Sequence, residues 1–194
     1  HGLAMPSGHF ALAQVEGDPQ GMIAAARTLG IGKVIVPWIE PEHRGTDAAS
    51  WRAFAARVAR ALAPFREAGL QVGWHNHDWD LADLGGGATP TDLMAEAGLG
   101  IELDLGWVAR AGQDPVAWLR RLGPRVIAVH VKDLAPAGTA AEDGWADVGH
   151  GTQDWGPIVA ELKAQGIGHW VAEHDAPADP ARFARRSLLT LQSW

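Results

Sequence analysis

The chain has no cysteine among its 194 residues, which excludes disulfides, thiolate metal sites and a cysteine nucleophile. Any metal must therefore be held by imidazole and carboxylate groups, and the composition suits a reducing, cytoplasmic compartment. Positive charge is scarce as well. Sixteen lysines and arginines face 23 aspartates and glutamates, a formal charge of -7, and that balance disfavours a nucleic-acid backbone as the main partner. No apolar run approaches the ~20 residues of a membrane span. The longest polar-poor stretch, 51–70, is broken by Arg52, Arg57, Arg60 and Arg66 and reads as an amphipathic helix. No glycine-rich phosphate fingerprint follows any apolar run, which argues against a doubly wound dinucleotide-binding sheet. A linker is lacking too. The loop 136–147 and the corner Gly85-Gly86-Gly87 separate no cores, so residues 1–194 read as one domain.

What the chain does contain is a recurring strand ending. Arg125-Val-Ile-Ala-Val-His-Val-Lys-Asp133 is a β-branched run of the kind buried on both faces, and it stops in His130, Lys132 and Asp133. Gln71 to Asp78, Gly100 to Trp107 and Trp170 to Asp175 stop the same way, in His75-Asn-His77, Glu102-Leu-Asp104 and Glu173-His-Asp175. One polar strand end is an ordinary satisfied core residue. Four together describe the mouth of a β/α barrel, to which each strand contributes a residue or two.

Strands are expected near 3–9, 33–38, 71–77, 100–107, 125–132, 146–148 and 169–174, alternating with helices at 18–29, 47–68, 90–97, 114–122, 155–165 and 178–191. Asp18-Pro19 and Asp114-Pro115 pair an N-cap with a proline suited to the first helical turn, Thr89-Pro90 is a weaker case, and Gly30, Gly69, Gly98, Gly123 and Gly166 mark helix ends. Seven strands fall short of the eight of a full barrel, which takes ~250 residues. The expectation is thus a (β/α)8 TIM barrel lacking its first βα unit, with a shortened seven-stranded barrel as the alternative.

Five motifs then carry a family resemblance: Gly73-Trp-His-Asn-His-Asp78, Glu102-Leu-Asp-Leu-Gly-Trp107, His130-Val-Lys-Asp133, Asp147-Val-Gly-His-Gly151 with Asp154-Trp155, and Ala172-Glu-His-Asp175. In order and spacing they resemble the xylose isomerase-like barrel superfamily, in its sugar phosphate isomerase/epimerase group, over nearly the whole chain. The resemblance implies that Asp104, His130 and Glu173 ligate a divalent metal (Mn, Mg, Co or Zn), a hard N/O set by its chemistry. The chain departs from the ketose epimerases at one point. Gly73 stands where they have a ligating glutamate, and His75, on the same face, is the candidate replacement ligand or base.

The implied chemistry is isomerisation or epimerisation of a small sugar, sugar phosphate or polyol-derived ketone through an enediolate. Glu173 is the leading base and His75 the second; Lys132 would stand beside the developing oxyanion, or else in a salt bridge. His9 and His77 would bind substrate hydroxyls, and Trp38, Trp79 and Trp107 would stack on sugar C–H faces. Glu102, one layer below Asp104, is expected to pair with a buried cation or orient a ligand. The Gly149-His-Gly151 turn offers backbone N–H groups to a phosphate or is simply a tight turn. Two alternatives stay open: a metal-dependent lyase or dehydratase acting on a keto-sugar or inosose, and an inactive barrel that binds a ligand. The expected partner is a small carbohydrate, with no nucleic acid and no membrane. A homo-oligomer, in which a neighbouring chain supplies the missing strand, is the further expectation.

Overall fold

The computed structural model describes residues 2–194, and the strands and helices alternate as the sequence predicts. In chain order they are β1 (Ser7–His9), α1 (Leu12–Gly17), α2 (Pro19–Leu29), β2 (Lys33–Val36), α3 (Ala48–Ala61), α4 (Ala63–Glu67), β3 (Gln71–His75), α5 (Pro90–Glu96) and β4 (Gly100–Asp104). There follow α6 (Leu105–Arg110), α7 (Pro115–Leu122), β5 (Val126–Val131), β6 (Asp133–Leu134), β7 (Trp145–Ala146), α8 (Trp155–Ala164), β8 (Trp170–Ala172) and α9 (Pro180–Gln192). The residues cluster into two compact units: residues 1–76 with 80–102, and residues 77–79 with 103–194. Among the described residues no helix is long and apolar enough to cross a membrane.

In the first unit β1, β2, β3 and β4 pair in parallel in that order, with Gly8 opposite Val34, Val34 opposite Val72 and His75 opposite Glu102. Val34, Ile35, Val36 and Trp74 are fully buried beneath α3 and α4, which contribute Phe54, Val58 and Phe65. Trp51 and Trp74 meet Phe54 edge-on, at 5.6 and 5.8 Å, the geometry that aromatic quadrupoles favour. Helix starts follow their caps. Asp18 accepts from Gly21 N at 2.9 Å, Asp47 from Ser50 N at 2.8 Å, and Thr89 closes a capping box with Asp92. The helix expected over 47–68 is two helices, because Pro64 lacks the N–H that would carry the ladder across Leu62. At the other end of α2, Gly30 takes the left-handed conformation (φ 74°) that ends a helix.

In the second unit β5 pairs in parallel with β8, His130 lying opposite Val171, and Glu173 N extends the ladder to Val131 O. Helices α7 and α8 bury Trp118, Leu119, Leu122, Ile158 and Leu162. The strand expected at 146–148 takes a different form: Trp145–Ala146 pairs antiparallel with Asp133–Leu134. Two-residue arms with a small-residue loop between them make a hairpin, which cannot also be a parallel barrel strand. Six parallel-paired strands therefore remain among the described residues. The strand expected over 100–107 also stops early, at Asp104, because that side chain caps α6 by accepting from Trp107 N at 2.8 Å.

Candidate active site

Asp104, at the end of β4, is fully buried and uses its carboxylate twice. Oδ1 caps α6, while Oδ2 lies 3.7 Å from His130 Nδ1 and 3.8 Å from Lys132 Nζ. His130 Nδ1 is 2.9 Å from Glu173 Oε2. The parallel register makes this convergence, since alternate residues of a strand face one way and β5 lies beside β8. Each of Asp104, His130 and Glu173 offers one ligand atom within 4.8 Å of the others.

Lys132 is the charge in the middle. Its ammonium donates to Asp175 at 2.6 Å and to Glu173 at 3.1 Å, and it lies over the rings of Trp107 and Trp145 at 4.9 and 4.3 Å. Only 1% of the residue is exposed. This approach of α6 to Lys132 requires Gly106, because a Cβ there would lie 2.7 Å from Lys132 Cβ and 2.8 Å from its carbonyl oxygen.

Three carboxylates around one ammonium leave negative charge to be balanced. Burial, against the attraction of Lys132 and His130, pushes Asp104 up to about 6. Glu173 goes the other way. Burial raises it, but the hydrogen bond and charge of His130 and the Lys132 ammonium together outweigh that and hold it at about 2. Acidic and imidazole donors with excess negative charge suit a divalent cation, so the residues present fit a metal held by Asp104, His130 and Glu173.

His77 lies past the end of β3. It stacks on Trp79 at 5.8 Å with 7° between the rings and tilts against Trp107 at 5.3 Å. Burial, then the Lys132 charge, lowers its pKa to about 4, so it is a neutral imidazole at neutral pH. Trp107 belongs to α6 instead of a strand end, and still forms a wall beside Lys132.

The turn at Gly149-His-Gly151 has its donors occupied. Gly149 N and Gly151 N donate to Asp133 Oδ2 at 2.9 and 3.0 Å, Trp155 Nε1 to the same oxygen at 2.8 Å, and Leu134 N and Gln153 N to Oδ1 at 2.8 and 3.2 Å. Asp133 thus fills the anion nest that the sequence reading offered to a phosphate. Arg182 and Arg186 hold Asp147, two residues before the turn, at 3.0 and 2.8 Å. Asp133 and Trp145 are the residues that sequence reasoning passed over. The His-Val-Lys-Asp motif carried a signal for the first; Trp145, in a loop of small residues, carried none.

In the first unit His9 lies at the end of β1 and His75 at the end of β3, and both approach Glu102. His9 and Trp38 line a cavity of about 360 Å³ together with Leu12, Glu40, His43 and Arg57. Trp38 is 41% exposed, with the Arg44 guanidinium 4.8 Å from its ring centroid.

Polar side chains at the carboxyl ends of parallel strands, with helices between the strands, define a β/α-barrel protein. The sequence matches the family described as xylose isomerase-like TIM barrel over residues 19–193, and the chain belongs to that family. Among solved structures it is similar to a sugar phosphate isomerase/epimerase from Parabacteroides distasonis ATCC 8503 (TM-score 0.79, 18% identity, 98% of this chain and 71% of that chain). It is also similar to the probable 3-DHS dehydratase AsbF, involved in petrobactin synthesis, from Bacillus anthracis (TM-score 0.71, 16% identity, 98% and 76%), and to the IolI protein with a bound zinc atom (TM-score 0.65, 15% identity, 89% and 66%). At these identities the likeness is one of fold. No curated protein matches the chain.

Proposed function

We propose that this chain is the catalytic barrel of a divalent-metal-dependent isomerase or epimerase acting on a small ketose or polyol-derived ketone. The observation that carries the reading is the convergence of Asp104, His130 and Glu173 on one buried, negatively charged spot at the ends of parallel strands. When bound there, a divalent ion supplies Lewis acidity to adjacent carbonyl and hydroxyl oxygens. The remaining work falls to side chains. Lys132, fixed by Asp175 and two indole faces, holds a positive charge where an oxyanion develops. Neutral His77 presents a ring nitrogen to a substrate hydroxyl, and Trp107 excludes water.

Glu173, held at about 2, works as an anionic ligand in this arrangement; a carboxylate so acidic is a weak base while His130 and Lys132 hold it. The occupied nest at Asp133 argues for an unphosphorylated substrate, since the turn best suited to a phosphate already has its own carboxylate. A second reading, a dehydratase using the same metal set, draws support from Gly73, where the second carboxylate of a two-base epimerase is missing, and from the likeness to the probable dehydratase.

The test is incubation of the metal-loaded protein with neutral ketoses and inososes in D₂O. Deuterium entering the carbon beside the carbonyl, with no loss of water, establishes the isomerase. A conjugated enone seen by ultraviolet absorbance establishes the dehydratase, and neither signal, with or without Mn²⁺, sinks both readings.

A further inference from the structure

Carboxylates and aromatic rings together hold Lys132, and the rings have a support of their own. The ammonium donates to Asp175 and Glu173 and lies 4.3 Å from the ring centroid of Trp145. Trp145 is 1% exposed, yet its indole Nε1 has no hydrogen-bond partner among the described residues. No donor–acceptor pair therefore fixes the plane of this ring, and contacts with its faces and edges must do so. Trp107 meets it edge-on, with centroids 4.9 Å apart and 80° between the rings. Arg110 supplies a second cation. Its guanidinium carbon stands 4.1 Å from the Trp145 centroid and 5.2 Å from that of Trp107. Trp107 and Arg110 are three residues apart on α6, so one face of that helix delivers both to the same indole.

The backbone leading into Trp145 needs the same support. Glu142 and Asp143 both take the left-handed conformation (φ 52° and 57°), which non-glycine residues keep only where surrounding contacts impose it. Arg182 holds both oxygens of the Glu142 carboxylate at 2.9 Å, and Ala178 N donates to it at 2.8 Å. Asp143 is held by its carbonyl oxygen, which accepts from Arg110 Nη2. Gly144 follows, with φ 73°, and a Cβ there would lie 3.1 Å from the same guanidinium nitrogen. Arg110 thus grips the chain two residues before Trp145 and faces its ring as well. A planar cation with a fork of donors performs both tasks at once, whereas an ammonium keeps the charge without the fork. We infer that Arg110 is a positioning residue for Lys132: it fixes the Trp145 indole against which the ammonium lies. The inference rests on the role proposed above for the Lys132 charge.

Lys33, Lys132 and Lys163 are the three lysines of the chain, so labelling with ¹³C-lysine reports on Lys132 in a spectrum of three side chains. Indole ring currents displace the Lys132 Hε signals upfield while the Trp145 ring is in place. In Arg110→Met these signals should return toward those of Lys33 and Lys163, and Arg110→Lys should fall between Arg110→Met and the wild type. Arg121→Met removes a similar contact elsewhere, the guanidinium 4.9 Å from the Trp118 centroid, and should leave the Lys132 signals unmoved. With a substrate that the wild type turns over, Arg110→Met should lower kcat about tenfold and change KM by less than about twofold. Lys132 signals of Arg110→Met that overlay the wild type overturn the inference. So does an equal displacement in Arg121→Met, or an unchanged kcat beside a displaced signal. If circular dichroism shows Arg110→Met misfolded, Arg110→Lys decides: an intermediate displacement upholds the inference, and an overlay overturns it. A wild type without turnover refutes the proposed reaction alone, because the spectra decide the Arg110 contact without a substrate.

Discussion

The two units end their strands in chemically different ways. The first gathers two imidazoles around one carboxylate, His9 and His75 on Glu102. The second gathers three carboxylates around an ammonium and one imidazole, with Asp104, Glu173 and Asp175 about Lys132 and His130. The same device, alternation along parallel strands, produces both. The identity of a handful of strand-terminal residues decides the electrostatics, so one repeated backbone unit presents a nitrogen-rich cluster in one place and an oxygen-rich one in the other. Nitrogen-rich donors favour zinc-like ions, while oxygen-rich donors tolerate harder ones such as Mg²⁺ and Mn²⁺.

Several substitutions would break this contrast or sharpen it. The largest effect is expected from His130→Ala and Glu173→Gln, each lowering turnover by on the order of 10³-fold in steady-state kinetics. Next comes Asp133→Ala. It strips an acceptor from five donors and should cost about 3–5 kcal/mol in urea denaturation, the scale for breaking a buried charged network. Replacing Gly106 with alanine forces Cβ against Lys132 and should cost roughly 1–3 kcal/mol by the same assay. Asp47→Ala, which removes only the exposed cap of α3, should lower the urea midpoint least of the three.

The pH response distinguishes the oxygen-rich cluster further. Asp104 must give up its proton to bind an ion, so ion affinity should rise as pH climbs toward about 6 and level off above it. In the ion-free protein the sign reverses. A carboxyl raised from 3.8 to about 6 stabilises the fold fully below 3.8, and that stabilisation is lost as pH rises through about 6. Subtracting the thermal melting curve of Asp104→Asn from that of the wild type between pH 4 and 7 isolates this slope, and identical pH dependence in the two proteins would refute the assignment.

Much of this architecture can be read from particular residues. Asp18, Thr89 and Asp114 cap the helices they were expected to start, and the β-branched run before His130 is the buried parallel strand it resembles. The family match over 19–193 bears out the barrel. Other features depend on contacts between distant residues. That His77 leaves the strand of His75 to stack on Trp79 and Trp107 follows from packing, because strict alternation would have kept both on one face. Trp145 reaches Lys132 through a two-residue hairpin too short to leave a periodic trace. Asp133 looked like one more polar strand end, and its role emerged only when five donors, up to 22 residues away, were found pointing at it.

The Asp133 carboxylate also has an engineering meaning. It acts as a tethered counter-anion, covalently supplied to a receptor that the backbone of residues 149–153 builds around it. With that side chain shortened to glycine, the receptor would become a vacancy of the right shape and polarity for a diffusible oxyanion, and sulfate or phosphate in the buffer should restore part of the lost stability. One carboxylate thus separates this loop from an anion-responsive switch, and Asp133→Gly is the point at which a phosphorylated substrate could be designed into the barrel.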